Sequence, residues 1–334
     1  CSAMLQTEIT LPRGVRDTLP EKTAKRNALL REVLSVFEGY GYSEVTTPFL
    51  EYVDVITQGA GKDLKKRIVK FTDRATGRSI GLRPDFTPQI ARIVATHYRD
   101  KKTPVRLSYQ GSVVRQTEDA SGGHRELYQA GIESIGNSSP EADAEIIEIL
   151  IESLKACNLK DFKIAIGQVD FVKGILDEAH LSQSERADVL DAISKRDSTR
   201  LNEMSTTLKY GELLVPFQAL LYLFGSEDVL DRRDEKKLVT NERSRNALDN
   251  IKTVFDILKR KRLSKYVSLD LCEIRGFDYH TGIIFEGFAS GLGSALCGGG
   301  RYDDLLAGFG YPSPATGFAI DLDNLMSAVE HQKD

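Results

Sequence analysis

The feature that most constrains this chain is a change of texture that reverses itself. Up to residue 168, short segments of strand-forming residues alternate with helical ones. From 169 to 265 the chain is charge-rich and helical in pattern, with few strand signals. From 267 strands return as "VSLDLCEI", "GIIFEGF", "SALCGGG" and "TGFAIDL". This order predicts an α+β fold with a mostly antiparallel sheet flanked by helices. The core is expected over 5–168 and 266–334, with 169–265 as a helical insertion subdomain.

Local patterns fill in the frame. Leu29, Leu30, Val33, Leu34 and Phe37 recur at helical spacing and predict a helix over 22–40, closed by Gly39 and Gly41. "SEVTTPFLE" reads as a strand broken by Pro48, and 67–84 as a hairpin turning around Ala75-Thr76-Gly77. A helix follows over 88–97. "VRLSYQGSVVRQ" and "RELYQAGIESIG" read as two strands joined by a polar loop. Ile146, Ile147, Leu150, Ile151 and Leu154 mark the buried stripe of a helix over 141–159, and "FKIAIGQ" reads as a buried strand.

Composition excludes several classes. Among 334 residues, 41% are hydrophobic and 28% charged, which is ordinary for a globular protein. No apolar run reaches membrane-spanning length, and 5–16 lacks the apolar centre of a secretory leader. Cys1–Ala3, ahead of Met4, reads as an expression remnant. The net charge of -4 argues against a dedicated nucleic-acid binder. Cys1, Cys157, Cys272 and Cys297 are scattered, which predicts neither a zinc site nor a disulfide framework and fits a cytoplasmic location. No metal or cofactor is expected.

Four stretches mix strand formers with acids, arginines and glycines: "LRPDFTPQIAR", "VVRQTEDASGGHRELYQAGIESIG", "EIRGFDYHTGIIFE" and "CGGGRYDDLL". In "ELYQAGIES", period-two alternation places Leu127, Gln129, Gly131 and Glu133 on one face. Such a face suits either a pocket floor or a solvated surface. Arg275-Gly276 lets an arginine approach a ligand, with Asp278 as its orienting partner or as part of a surface turn. "GGGRYDDLL" reads as a glycine turn opening a helix, with Arg301 and Asp303 in the first turn. That arrangement serves an anion or a plain chain reversal. His124 and His280 lie within the polar stretches, whereas His97, His180 and His331 read as surface or helix-face residues.

Together, in this order and spacing, the stretches resemble the catalytic core of class II histidyl-tRNA synthetases. "LPRGVRDTLP" is similar to that family's N-terminal signature, and "GYSEVTTPFLE" to the first class motif. "SYQGSVVRQTE" with "RELYQAGIESIG" resembles the second, and "TGFAIDLDNL" the third. "IRGFDYHTGIIFE" and "CGGGRYDDLL" are similar to the two histidine-specific motifs. The resemblance runs from Leu11 to about Leu325, less the helical block. It implies a class II synthetase-like core in which Asp85, Thr87 and Gln129 receive a histidine ammonium. Glu133 reads the imidazole, Arg275 meets the carboxylate, and Arg115, Tyr279 and His280 belong to the same histidine-binding pocket. A tyrosine is usual in the family where His280 stands.

The departures run in one direction. Where synthetases of the family carry an arginine for the ATP phosphates, this chain has Asn324, and a neutral amide cannot supply that charge. The second-motif arginine survives as Arg115, but Thr117 stands where an acid helps hold adenine, and Gly123 where the loop has an arginine. The sequence ends soon after the third motif, so no anticodon-binding domain is expected. This combination is similar to a family of synthetase paralogues, the regulatory subunits of ATP phosphoribosyltransferase. The resemblance implies a non-catalytic chain acting in histidine biosynthesis with a short-form catalytic subunit and with L-histidine as feedback effector. It also implies dimerisation through the first motif and no tRNA partner. The alternatives are a histidyl-tRNA synthetase core or histidine-activating enzyme, and a sensing module of another system.

Overall fold

The computed structural model describes residues 10–58, 62–101, 104–116, 124–207, 215–230, 239, 241–274 and 279–332. The first long helix, α1 (Pro20–Gly39), begins on a proline, whose fixed φ and missing N–H suit a first helical position. It buries Val33 and Phe37. The chain then splits around Pro48. β1 (Ser43–Glu44) enters one sheet, and β2 (Leu50–Tyr52) enters another with β3 (Lys70–Thr72) and β4 (Ser79–Leu82) in the order β2-β4-β3. A proline has no N–H to give to a ladder, so the break expected there separates two sheets. Short helices α2 (Val53–Ile56) and α3 (Lys62–Arg67) lie between β2 and β3.

After α4 (Thr87–His97) come the two long strands β5 (Val105–Val114) and β6 (Glu126–Ile135), then α5 (Pro140–Ala156) and β7 (Phe162–Gln168). α5 starts on the cap Ser139 with Pro140 at its first position, and Glu141 and Asp143 in its first turn complement the helix dipole.

Between β7 and β9 (Val267–Asp270) the described residues form α6 (Val169–Glu178), α7 (Gln183–Ser194), α8 (Ser198–Thr207), α9 (Val215–Leu220), β8 (Phe224–Gly225) and α10 (Glu242–Arg260). The chain closes with β10 (Ile283–Ala289), β11 (Cys297–Arg301), β12 (Ala315–Asp321) and α11 (Leu322–His331).

The main sheet has nine strands in the order β1-β5-β6-β12-β11-β10-β7-β9-β8. β1 with β5 and β7 with β9 pair in parallel, and the other neighbours are antiparallel. The mostly antiparallel α+β architecture is as the pattern predicts.

One face of the sheet carries the larger hydrophobic cluster. Phe37 of α1, Ile146 and Leu150 of α5, Ile132 of β6, Phe285 of β10 and Leu325 of α11 belong to it. Phe171, Val189, Leu201, Phe217 and Leu248 from the 169–265 segment join the same cluster, and β8 extends the sheet beyond β9. α6 and α10 approach closely at Gly174, where a Cβ would lie 2.8 Å from Ser244 N. The opposite face is covered at its β5 end by a smaller cluster including Phe86, Ile90 and Val94 with Leu107, Tyr109 and Leu306. Beside that cluster it opens into a cavity. No described helix is long and apolar enough to cross a membrane.

The glycine stretch reads two ways in the sequence, and the structure decides between them. "SALCGGG" as a strand holds, since Cys297–Arg301 is β11, paired with β10 and β12, whereas "GGGRYDDLL" as a turn opening a helix does not. A turn and the short 3-10 helix Leu306–Phe309 follow it, with no α-helix. The glycines allow close packing in the sheet: a Cβ on Gly299 would lie 2.6 Å from Phe318 Cβ and 2.7 Å from Phe285 Cζ.

Candidate functional site

The cavity occupies about 610 Å3, within the range of small-molecule sites. Its floor is set by register. On β6, Gln129, Gly131 and Glu133 face the same side, as alternation predicts. Across from them β12 presents Asp321, Ala319 and Gly317, and β11 carries Gly300 beside Gly317. On the other flank Tyr109 of β5 stands opposite Gly131. Small residues therefore surround the two polar ones. A Cβ on Gly131 would meet the Tyr109 hydroxyl at 2.5 Å, and one on Gly317 would overlap Glu133 Oε2.

Glu133 is 1% exposed, and three hydroxyls converge on it. Oε1 accepts from Thr87 Oγ1 at 2.7 Å and from Tyr109 at 3.2 Å, and Oε2 accepts from Tyr302. Burial pushes its pKa up to about 8, and the nearby Asp85 charge adds to the rise, while the three hydroxyls pull the other way. The Tyr109 and Tyr302 hydroxyls are pushed well above their usual range by burial and by the Glu133 charge, so they stay protonated as donors. Tyr109 and Tyr302 were not singled out from the sequence as site residues. Each lies within a quoted motif, but the sheet register is what brings it to Glu133.

Asp85 and Thr87 are placed by the start of α4. Asp85 Oδ1 accepts from Thr87 N at 3.0 Å, and Asp85 Oδ2 lies 3.7 Å from Arg115 Nη2. Arg115 Nε donates to Pro84 O at 2.9 Å, so the arginine steadies the turn that carries Asp85. Gln129 lines the cavity and is 7% exposed. Tyr279 stacks near Tyr302 with ring centroids 5.4 Å apart, and His280 meets Tyr279 edge-on at 5.1 Å. His280 Nδ1 lies 3.1 Å from Arg301 O. A carbonyl only accepts, so Nδ1 carries the proton and Nε2 is the acceptor. Burial pushes the His280 pKa down to about 4, which keeps the ring neutral.

Asp85, Thr87, Arg115, Gln129, Glu133, Tyr279 and His280 thus line one cavity, together with His124. Arg275, Asp278, Thr117 and Gly123 lie outside the described residues. Arg301 does not face an anion site. Its guanidinium is 6% exposed, binds both carboxylate oxygens of Asp143 at 3.0 and 3.1 Å, and donates to Asn137 O at 3.1 Å and to Asp303 at 3.1 Å. The expected role in the first turn of a helix gives way to a buried ion pair that ties β11 to α5. Among the described residues, no group of three or more His, Cys, Asp or Glu side chains is arranged to hold a metal ion.

The other half of the cavity reaches the start of α11. Asp321 Oδ1 caps that helix by accepting from Asp323 N and Asn324 N, each at 3.0 Å. Asn324 Nδ2 donates to Ala295 O at 2.9 Å. The amide of Asn324, where the resemblance places a synthetase arginine, therefore binds the chain's own backbone. Asp323 beside it pairs with Arg16 at 3.1 Å.

The sheet order, the carboxylate at the pocket floor and the helix after β12 define a histidyl-tRNA synthetase-like core of class II. A family model described as histidyl-tRNA synthetase matches residues 14–325. The ATP phosphoribosyltransferase regulatory subunit of Geobacter sulfurreducens is 44% identical over 328 residues, covering 98% of this chain and 74% of that protein. Its counterpart from Geobacter metallireducens is 43% identical, covering 98% and 75%. A solved structure titled as an ATP phosphoribosyltransferase regulatory subunit/histidyl-tRNA synthetase from Bacillus halodurans superposes with a TM-score of 0.87 at 31% identity, covering 97% of this chain and 84% of that one. The chain belongs to the histidyl-tRNA synthetase family and, within it, to the ATP phosphoribosyltransferase regulatory subunits.

Proposed function

We propose that this chain serves histidine biosynthesis as the regulatory subunit of a cytoplasmic ATP phosphoribosyltransferase. It has no catalysis of its own, assembles with a short-form catalytic subunit, and transmits feedback inhibition by L-histidine. Histidine occupies the cavity above Gln129, Gly131 and Glu133. Asp85, Thr87 and Gln129 accept from its ammonium, Glu133 accepts from an imidazole N–H, and Arg275 meets the carboxylate. Tyr279 and His280 form the wall. Each pairing matches a charge or a donor with its complement. Self-association through the first motif, 41–51, follows the synthetase resemblance.

The observation that carries this reading is the contrast between the two halves of one cavity. The Glu133 floor is fully built, while Asn324 offers no charge and its amide is engaged by Ala295 O. Preorganised charge at a phosphate typically contributes several kcal/mol to a barrier, so its loss removes aminoacyl activation but not amino-acid binding.

The test mixes the chain with a short-form transferase and follows phosphoribosyl-ATP formation with and without histidine. Co-elution, a gain in rate and histidine inhibition are expected. Histidine-dependent ATP–pyrophosphate exchange by the pure chain would instead establish the synthetase alternative.

A further inference from the structure

Tyr279 and His280 form one wall of the cavity, and bonds from two directions hold the segment 279–282 that carries it. On the sheet side, Thr281 N donates to Arg301 O at 2.9 Å, the same carbonyl that His280 Nδ1 approaches. Asp303 N donates to Thr281 Oγ1 at 2.9 Å. On the helical side, Val169 N donates to Gly282 O at 3.1 Å. One turn further along α6, Lys173 Nζ donates to His280 O at 2.7 Å. Val169 and Lys173 are four apart and share a face of the helix.

These two α6 contacts differ in kind. The Val169 bond continues the β7–β10 ladder, whose last pair joins Gln168 to Ile283, so sheet geometry accounts for it. The Lys173 bond has no such origin. A long ammonium side chain loses about 2 kcal/mol of rotamer freedom when fixed. Here it is fixed on the carbonyl of a residue that lines the pocket.

α6 is in turn clamped to α10. Arg243 pairs with Asp170 at 2.7 Å and with Asp177 at 2.8 Å, and Asn241 Nδ2 donates to Gly174 O at 2.7 Å. A displacement of α6 therefore carries α10 with it. Arg301, by contrast, is locked on Asp143 inside the fold and provides a fixed anchor for the wall.

We propose that Lys173 is a positioning residue that couples the ligand pocket to the α6–α10 helix pair. It holds the His280 wall in its binding position, and a ligand that shifts the wall moves the helices. This rests on the reading of the cavity as the histidine site and adds the route by which occupancy leaves it.

The experiment compares the full chain with Lys173→Met and Lys173→Arg, by hydrogen exchange and by calorimetric titration with L-histidine. Without ligand, Lys173→Met should exchange faster at 279–282 and along 169–178, and Lys173→Arg should restore the parent pattern. With ligand, the parent should slow in both segments. In Lys173→Met the slowing should be confined to 129–133, and affinity should fall roughly tenfold, the factor one hydrogen bond to a charged group supplies.

Unchanged ligand-free exchange at 279–282 in Lys173→Met would overturn the coupling, as would a parent-like response of α6 to histidine in that variant. A parent chain that binds no histidine would refute the reading of the pocket, and the ligand-free comparison would still decide the coupling.

Discussion

The proton on Glu133 gives the pocket reading its sharpest test. Burial pushes the Glu133 carboxyl pKa up to about 8, so near neutral pH this group holds a proton more readily than an ordinary glutamate. Either form of the carboxyl accepts an imidazole N–H, but the carboxylate accepts it more strongly. Histidine binding should therefore favour ionisation of Glu133 and release protons near neutral pH, and affinity should rise as the pH is raised from 7 to 8.

The linkage to stability has the opposite slope. The folded-state pKa lies above the 4.5 of an ordinary glutamate, so the folded chain binds more protons between the two values. Glu133 thus contributes stability below pH 4.5 that is lost as pH rises towards 8. Calorimetry in two buffers of different ionisation heat counts the released proton directly. Glu133→Gln should release none, bind histidine more weakly and flatten the stability profile over that window. A parent chain whose binding heat is independent of the buffer, or whose affinity falls from pH 7 to 8, would refute the argument.

Two further outcomes follow from the packing. Arg301→Met leaves Asp143 buried without its cation and should cost about 3–5 kcal/mol in urea denaturation; a loss under 1 kcal/mol would show that Asp143 finds another partner. Gly317→Ala sets a methyl group against Glu133 Oε2 and should abolish histidine binding while costing roughly 1–3 kcal/mol of stability, read from the same titrations; retained affinity would mean the ligand does not use this floor.

Much of the fold was legible because its signals are local. The stripe Ile146, Ile147, Leu150, Ile151 and Leu154 requires only helical period, and α5 carries it. "FKIAIGQ" coincides with β7 because a short apolar run bounded by polar residues has few other uses. The Gln129–Gly131–Glu133 face could be read from alternation, since a strand puts every second residue on one side. What could not be read depends on partners distant in sequence. Tyr109 reaches Glu133 through the β5–β6 register, and Tyr302 through the end of β11. The pair Arg301–Asp143 joins residues that no local pattern links. The turn reading of "GGGRYDDLL" competes with the strand reading of "SALCGGG" for a related reason. Glycine has no side chain to alternate, so a strand made of it looks like a turn, and only the neighbouring Phe318 and Phe285 explain why side chains are excluded there.

The same geometry bears on the proposed division of the cavity. On the side proposed for the amino acid, the residues assigned to the ligand are also fold contacts. Glu133 is held by Thr87, Tyr109 and Tyr302 from three separate elements, and Gly317 and Gly131 exist as glycines to make room for that arrangement. Replacing Glu133 with an apolar residue would take the acceptor from the buried Tyr302 hydroxyl, at roughly 1–3 kcal/mol, while Tyr109 would keep Phe318 O at 3.4 Å, so the fold itself opposes drift there. On the side proposed for the nucleotide, Asn324 is a single side chain on the first turn of α11, a helix capped independently by Asp321. Its amide finds an acceptor in Ala295 O, so an asparagine sits there with that donor satisfied. A neutral side chain is therefore accommodated there by the fold. Losing Glu133 would cost the fold, so its presence is explained whether or not a ligand fills the pocket. The proton count on Glu133, rather than the presence of the residue, is therefore the measurement that separates a working sensor from an inherited cavity.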